Sequence, residues 1–231
     1  MSMASYHIRQ YQDRDHKQVV DLYSETITEL TVTGSRHLLK LPRTLALLLG
    51  GPLAIFLLTG SWPLTLLAGL LLFAALKYFG KVPWVQFKVM ALNTDMSDIS
   101  KYYLSGQGSC FWVAESQGRV VGTVGALPVE EPTLCGDHLE LFHLCMHPAH
   151  RGQGIAKALV RTVLQFGQDQ GYKAVVLSTS SVQYAALGLY QSLGFRKTHE
   201  YFYSLTWRLN AIPFVRLAYY FPSAQVSHRS R

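Results

Sequence analysis

The pattern of hydrophobic and polar positions divides the chain into short elements with the periods of strands and helices. Gln117-Gly118 separates two β-rich runs and therefore predicts a hairpin. Residues 154–170 carry apolar positions at helical spacing, ended by a glycine. The other predicted elements are strands at 6–11, 139–146, 174–178 and 200–209, and helices from Asp13 towards Leu30, from Thr94 towards Tyr103 and at 184–192. This mixture predicts an α/β domain.

One apolar run interrupts this pattern. No charged residue occurs from Thr44 to Leu76, a run of 33 positions. A soluble core helix is rarely so long and so uniformly apolar, so we expect insertion into a membrane. The run begins too far from Met1 for an ordinary cleaved signal peptide.

The middle of the run favours a hairpin over a single span. Pro63 disfavours helical geometry at Trp62 and lacks a backbone donor. The two parts, Leu45–Leu58 and Leu64–Leu76, would each be about 20 Å long as helices. Two full spans need about 40 residues, whereas one span leaves about a dozen apolar residues over. We therefore expect a shallow or re-entrant hairpin.

The charges beside the run indicate its orientation. Lysine and arginine stand on both sides of it: Arg36, Lys40 and Arg43 before, and Lys77, Lys81 and Lys88 after. Positive flanks are typical of the cytosolic side, so both ends of the hairpin are expected to face the cytosol.

The composition of the chain is consistent with a folded domain that contains one membrane segment. Charged residues are only 15% of the chain and the net charge is +7, but the apolar run and its basic flanks account for much of both values. Nucleic-acid binding is therefore not indicated. A hydrophobic content of 49% excludes a disordered chain. Cys110, Cys135 and Cys145 lack metal-ligand spacing and are expected to be buried or idle thiols of a reducing compartment.

Candidate chemistry is concentrated in one loop, Arg151-Gly152-Gln153-Gly154, between a predicted strand and a predicted helix. The glycines allow backbone N–H groups to approach an anion, and the helix N-terminus and Arg151 add positive charge. The spacing matches neither the P-loop nor the dinucleotide-binding pattern. The sequence predicts an anion-binding loop of another kind.

Two motifs and three longer stretches carry a family resemblance. The pattern R-x-x-G-x-A, from Arg151 to Ala156, matches the pyrophosphate loop of acetyl-CoA-dependent N-acetyltransferases, and 186–195 resembles their A-x-x-L-Y-x-x-x-G-F element. The stretches LLKLPRTLALLLGGPLA, GSCFWVAE and GIAKALVRTVLQF resemble the camello-like or N-acetyltransferase 8 family, a membrane-bound branch of the GNAT-fold acetyltransferases.

The resemblance implies a fold and an organisation. The GNAT fold has a mixed, mostly antiparallel central sheet with flanking helices, and here it would contain the inserted membrane hairpin. The expected division is the first part of the GNAT domain at 1–35, the hydrophobic insertion at 36–88, the remainder of the domain at 89–209, and an unassigned C-terminal tail at 210–231.

The same resemblance implies an activity. Acetyl-CoA would be the cosubstrate, without a metal, and the enzyme would lie in the endoplasmic-reticulum membrane, extending to Golgi-side membranes, with its catalytic domain in the cytosol. The acceptor would be the α-amine of cysteine S-conjugates, giving mercapturates, or the side chain of a protein lysine. An inactive, membrane-tethered acetyl-CoA-binding scaffold is the alternative of another class. The oligomeric state is left open.

Residue roles carry over from the motifs. The pyrophosphate would be bound beside Arg151 by the backbone N–H groups of Gly152, Gln153, Gly154, Ile155 and Ala156. The backbone of Met146 would bind the pantetheine arm or the acetyl carbonyl. Tyr190 matches the tyrosine that protonates the CoA thiolate, and a phenol with a pKa near 10 suits that role.

The general base has several candidates. Glu140 occupies the place where several family members have a glutamate that deprotonates the amine, often through water. His143 has a more suitable intrinsic pKa, about 6.5, but its odd separation from Glu140 directs the two side chains to opposite faces of an unbroken strand. A bulge would change that. His147 and His150 are expected near the phosphates or exposed, and Gln183 replaces a frequent asparagine.

Overall fold

A computed structural model describes residues 5–129 and 136–222. Two compact units form within it. The first unit contains the chain up to Thr26, from Met90 to Tyr201, and from Phe214 onward; the second contains 27–89 and 202–213. The first unit holds the sheet, and the second holds the apolar helices.

Seven strands and seven α-helices make up the described chain. The strands are β1 (Tyr6–Gln10), β2 (Cys110–Ser116), β3 (Arg119–Pro128), β4 (His138–Met146), β5 (Ala174–Ser180), β6 (Arg196–Tyr201) and β7 (Phe214–Tyr220). The helices are α1 (His16–Lys40), α2 (Pro42–Thr59), α3 (Trp62–Phe79), α4 (Val82–Asn93), α5 (Ile155–Asp169), α6 (Tyr184–Ser192) and α7 (Leu205–Leu209). Ser100–Leu104 forms a short π-helical turn.

One sheet contains all seven strands, in the order β1-β2-β3-β4-β5-β7-β6. Its neighbouring strands are antiparallel, except that β4 and β5 are parallel. Pairing between β4 and β5 covers only His138–Leu141 with Ala174–Leu177, although the strands continue to Met146 and Ser180. The strands therefore separate beyond residue 141, and the gap leaves a free backbone edge on each of them.

The core of this unit lies between the sheet and α5. Leu159, Val160 and Val163 of α5 are fully buried in a cluster with residues of the central strands. The helix has no side chain at Gly167, where a Cβ would lie 3.2 Å from Val175 and 3.3 Å from Leu139. The helical spacing that predicts residues 154–170 as amphipathic is thus confirmed.

The hairpin in the second unit has longer helices than the sequence predicts. The break is confirmed at Gly60, which has φ +65°, and α3 begins at Trp62 with Pro63 in its first turn. However, α2 and α3 have 18 residues each, or about 27 Å, because both continue past the uncharged run to include Arg43 and Lys77. The expected helix lengths of about 20 Å were therefore wrong. A basic residue does not end such a helix, because its charged group can remain in water while its stem covers apolar surface.

The two hairpin helices pack closely and leave most of their apolar surface exposed. A Cβ at Gly69 would lie 3.4 Å from the ring of Pro52, so a glycine allows the close approach. Leu57 and Leu58 are 75% and 86% exposed. The stretches Pro42–Thr59 and Trp62–Asn93, the second of which includes α3 and α4, are long and apolar enough to cross a membrane. Their mean hydropathies are 1.5 and 1.6, and only 6% of the most apolar part of each is buried.

Three segments differ from the sequence prediction. Residues 94–104 form turns and a π-helical turn instead of a regular helix. Residues 200–209 were predicted as a strand, but β6 ends at Tyr201 and α7 follows it. The apolar side chain of Trp207 is buried by this helix and not by a sheet face. The unassigned tail contains β7, which pairs along both edges with β5 and β6.

Candidate active site

The predicted pyrophosphate loop connects β4 to α5. Gly152 and Gly154 have φ values of +76° and +82°, in the region that favours glycine. A Cβ at either position would meet no atom within 4 Å, so the backbone conformation, and not lack of space, requires glycine there. Gly154 caps α5 directly before Ile155. The loop thus presents the N-terminus of α5 to open space, as an anion site requires.

Arg151 stabilises this loop from within. Its Nε and Nη2 atoms lie 3.3 and 3.2 Å from the carbonyl oxygen of Met146. The backbone N–H of Ala149 donates to Nδ1 of His147 at 3.3 Å, and the rings of His147 and His150 lie 5.6 Å apart. The guanidinium therefore joins the end of β4 to the loop. It also supplies the positive charge that the sequence predicts there.

Tyr190 lies next to the end of β4. Its side chain on α6 is 5% exposed, and its ring lies 5.6 Å from that of Phe195. Burial raises the pKa of Tyr190 well above its usual value, and the nearby Cys145 thiol raises it further. The phenol therefore keeps its proton at neutral pH. Cys145 directly precedes Met146, so this interaction places Tyr190 in the neighbourhood of the end of β4.

The thiols in the described residues are buried. Cys110 and Cys145 are free and inaccessible, as the sequence predicts, and Cys135 lies outside the described residues. Burial raises the pKa of Cys145 to about 11, although side-chain hydrogen bonds with Thr26 and Thr123 act in the opposite direction. A thiol of this kind is largely protonated at neutral pH and is a poor nucleophile.

Glu140 is held by an arginine on β7. The guanidinium Nη1 of Arg216 donates to one oxygen of Glu140, and Nη2 lies 3.4 Å from the other. The same Nη1 lies 3.2 Å from Oγ of Ser178, to which the hydroxyl of Tyr201 donates at 3.0 Å. This network crosses β5 where β4 and β5 begin to separate. A carboxylate held by a guanidinium is a weaker proton acceptor than a free one.

A bulge in β4 changes the face of His143. Residues Thr123 and Gly125 of β3 oppose Cys145 and Phe142, so β4 has one extra residue in this interval. His143 lies there with φ +51°. An unbroken strand would place His143 and Glu140 on opposite faces. The bulge, which the sequence left open as the alternative, is present and breaks that alternation.

Both side chains approach Tyr103. The ring of His143 lies 6.4 Å from that of Tyr103. Burial raises the pKa of Tyr103 far above its usual value, and the charges of Asp95 and Glu140 add to the effect. Tyr23 of α1 lies on the same side, with its ring 5.1 Å from His143. The hydroxyl of Tyr23 is buried without a hydrogen-bond partner among the described residues, which leaves a polar atom for substrate or water.

The structure adds Asp95 to the site. Nε2 of His143 lies 2.6 Å from Oδ2 of Asp95, and the Tyr103 hydroxyl donates to the same oxygen. Burial acts to raise the pKa of Asp95, but the hydrogen bonds and charge of His143, together with Tyr103, outweigh it and hold the pKa below its usual value. Asp95 belongs to a predicted helix start, and the sequence pattern does not indicate its pairing with His143.

Comparison with known proteins agrees with this geometry. The model of the acetyltransferase (GNAT) family matches residues 79–195. The chain belongs to the GNAT acetyltransferase family. Human N-acetyltransferase 8B is 58% identical, and the alignment covers 96% of this chain and 98% of that protein. Human N-acetyltransferase 8 is 55% identical, with 97% and 99% covered. This GNAT acetyltransferase is therefore a member of the N-acetyltransferase 8 family.

Solved structures confirm the fold. An acetyltransferase from Streptococcus agalactiae aligns with a TM-score of 0.56 at 15% identity, covering 94% of this chain and 98% of that one. A Salmonella typhimurium protein solved with its cofactor acetyl-CoA aligns with a TM-score of 0.55 at 15% identity, covering 93% of each chain. The predicted GNAT fold, with a mixed seven-stranded sheet and flanking helices, is confirmed.

The family assignment establishes the type of reaction. This protein is an acetyl-CoA-dependent N-acetyltransferase. The chain departs from the family pattern at Gln183, where an asparagine is frequent. Gln183 is the N-cap residue of α6, and its side-chain oxygen accepts a hydrogen bond from the hydroxyl of Thr179. The glutamine thus binds the end of β5 beside the gap.

Proposed function

We propose that this acetyltransferase acetylates the α-amine of cysteine S-conjugates and so forms mercapturates. Arg216 carries the proposal. Its side chain is 16% exposed, beside the point where β4 and β5 separate. A guanidinium has five N–H donors. The two on Nη1 donate to Glu140 and Ser178, and one on Nη2 donates to Glu140. The second N–H of Nη2 and the N–H of Nε therefore have no partner among the described residues. A carboxylate could bind there.

An α-amino acid suits such a site better than a protein lysine. In a cysteine S-conjugate the carboxylate is attached to the carbon that bears the amine, so one arginine can orient the amine towards the thioester. The amine of a lysine side chain has no neighbouring carboxylate. In this proposal Glu140 holds the guanidinium of Arg216 in place and is not the base, which departs from the role that the family resemblance implies for it.

The remaining roles concern the cosubstrate. We propose that the backbone N–H groups from Gly152 to Ala156 bind its pyrophosphate, since the loop is open and leads into a helix N-terminus. The edge of β4 from Phe142 to Met146 would bind the pantetheine arm, because β5 pairs with β4 only as far as Leu141. Arg151 would support both segments.

The proposed reaction needs two proton transfers. The neutral amine attacks the thioester carbon, the C–N bond forms, and the C–S bond breaks with its electron pair moving to sulfur. Tyr190 donates its proton to that sulfur, and a base accepts the proton lost by the amine. The phenol of Tyr190 keeps its proton until the thiolate forms, although burial raises its pKa and makes it a weaker acid than a free phenol.

We also propose a location in the endoplasmic-reticulum membrane, with both ends of the hairpin facing the cytosol. Strand β1 precedes the hairpin, yet it pairs with β2, which follows it. Strands of one sheet must lie on one side of a membrane, so the helices between them cross it twice or not at all. Helices of about 27 Å match the hydrocarbon thickness of this thin bilayer, and the flanks are basic on both sides.

The acceptor is tested with microsomes that contain the protein and labelled acetyl-CoA. S-benzyl-cysteine should be acetylated, and its amide, which lacks the carboxylate, should have a KM raised at least about tenfold. Arg216→Gln should raise the KM for S-benzyl-cysteine and not that for the amide. Arg119→Gln, at an exposed position on β3, is the matched control. Acetylation of a lysine peptide alone would support the lysine acceptor, and label in neither would support an inactive scaffold.

The location is tested by protease protection of tags at residues 1 and 231. Both tags should be digested in intact microsomes. Tags on opposite sides would exclude the hairpin, because a single span would place β1 and β2 on different faces of the bilayer.

A further inference from the structure

We infer that His143 is the catalytic base, which accepts the proton of the acceptor amine, and that Asp95 is the positioning residue that holds its imidazole. The inference deepens the proposed function, on which it rests for the choice of acceptor. It follows from the juxtaposition of a bulged histidine on β4 and a buried carboxylate 48 residues earlier in the chain.

The hydrogen bond to Asp95 fixes the tautomer of His143. Nε2 lies 2.6 Å from the carboxylate, and a carboxylate accepts hydrogen bonds but does not donate them. Nε2 therefore carries the hydrogen, and Nδ1 has the lone pair that can accept a proton. The imidazolium formed by that transfer would be stabilised by the adjacent negative charge.

The carboxylate is itself held in place. Its Oδ2 accepts from both His143 and Tyr103, and Oδ1 lies 3.3 Å from the hydroxyl of Thr94. The side chain of Asp95 is 18% exposed and that of His143 is 9% exposed. An ionised and partly buried carboxylate that accepts from both His143 and Tyr103 has little freedom to rotate, so the orientation of the imidazole is set by the fold.

The groups that face His143 leave it as the best-matched base. Tyr23 and Tyr103 are kept neutral by burial, which raises the pKa of each. The nearby charges are those of Asp95 and Glu140, and Glu140 is already held by Arg216. Of these groups, the imidazole is the one whose partner is a carboxylate, which favours the protonated form that a base must reach.

The kinetic test compares His143→Gln, Asp95→Asn and Glu140→Gln in the full-length protein in detergent. His143→Gln should lower kcat/KM by about 10²–10⁴-fold, with little change in the Kd for acetyl-CoA. Asp95→Asn should move the acidic limb of the kcat/KM profile to lower pH, because the imidazolium loses its stabilising charge. Glu140→Gln should leave that limb in place. The control is His199→Gln, an exposed histidine on β6.

These variants are assayed on whichever acceptor the wild-type enzyme uses, S-benzyl-cysteine or a lysine peptide, so an error in the acceptor does not affect the comparison. A second readout needs no acceptor: NMR of labelled histidine, with the His143 signals assigned by their loss in His143→Gln. Those signals should change in Asp95→Asn and not in Glu140→Gln. Wild-type turnover in His143→Gln, or His143 signals unchanged by Asp95→Asn, would overturn the inference.

Discussion

The backbone of Gly125 on β3 lies directly against the ring of Tyr103. A Cβ at residue 125 would lie 2.7 Å from Cε1 of Tyr103 and 2.9 Å from the ring of Phe111. Such a contact is too short for any side chain, so glycine is needed for the tyrosine to reach Asp95. The strand backbone therefore fixes the position of a group that holds the histidine–aspartate pair.

We expect Gly125→Ala to affect stability and activity together. The added methyl must displace Tyr103 or Phe111, which are both fully buried, and overpacking of this kind costs about 1–3 kcal/mol. Thermal unfolding and kcat measured on the same preparation check this result. Gly188→Ala on α6 is the control, because a Cβ there would meet no atom within 4 Å. Wild-type kcat in Gly125→Ala would show that the position of Tyr103 does not influence catalysis.

Tyr190→Phe should lower kcat with little change in the affinity for acetyl-CoA. The substitution removes the proton that would reach the CoA sulfur but keeps the ring that packs on Phe195. Steady-state kinetics and equilibrium binding separate the two effects. Tyr184→Phe is the matched control on the same helix, since Tyr184 is 73% exposed. Unchanged turnover would remove Tyr190 from the role of proton donor.

The sequence was sufficient for the parts of the site that are contiguous in the chain. The loop from Arg151 to Ala156 and the hairpin turn at Gln117-Gly118 need local backbone conformations that glycine provides, and those conformations are observed. Tyr190 was found in the same way, from a motif within one helix and its end.

The pairing of His143 with Asp95 depends on information that the sequence pattern does not contain. Strand alternation assigns His143 to a face only if the strand is regular, and the bulge depends on pairing with β3, which is distant in the chain. Asp95 approaches His143 only after the sheet has formed. The tail from residue 210 to 231 was left unassigned because it is aromatic and basic, and the position of β7 within it, between β5 and β6, depends on long-range pairing.

Gly154→Glu should abolish acetyl-CoA binding. A side chain at φ +82° is strained, and a carboxylate at the start of α5 would repel the pyrophosphate. Gly171→Glu separates the two causes, because Gly171 follows the same helix with φ +81° and equally open space, but lies far from the loop. Isothermal titration with acetyl-CoA should show binding in Gly171→Glu only. Retained binding in Gly154→Glu would refute the assignment of the pyrophosphate loop.

Acid should weaken the fold through Asp15, which joins β1 to the start of α1. Arg9 donates to both of its carboxylate oxygens, at 2.6 and 2.8 Å, and the backbone N–H of Gln12 donates at 3.0 Å. Burial acts to raise the pKa of Asp15, but these hydrogen bonds and the charge of Arg9 hold it below its usual value. Arg9 also binds Glu115 of β2 at 2.7 Å, so this network fastens β1 to its neighbour.

The direction of the pH effect follows from the lowered pKa. The unfolded chain binds the proton of Asp15 at a higher pH than the folded protein does, so the stabilisation is complete above about pH 4 and is lost as the pH falls through the folded value. Asp15→Asn should therefore lower the apparent Tm at pH 7, and the difference from wild type should shrink towards pH 3. The exposed Asp21→Asn on α1 should show no such difference. A Tm gap in Asp15→Asn that is the same at both pH values would mean that folding does not lower the pKa of Asp15, contrary to its pairing with Arg9.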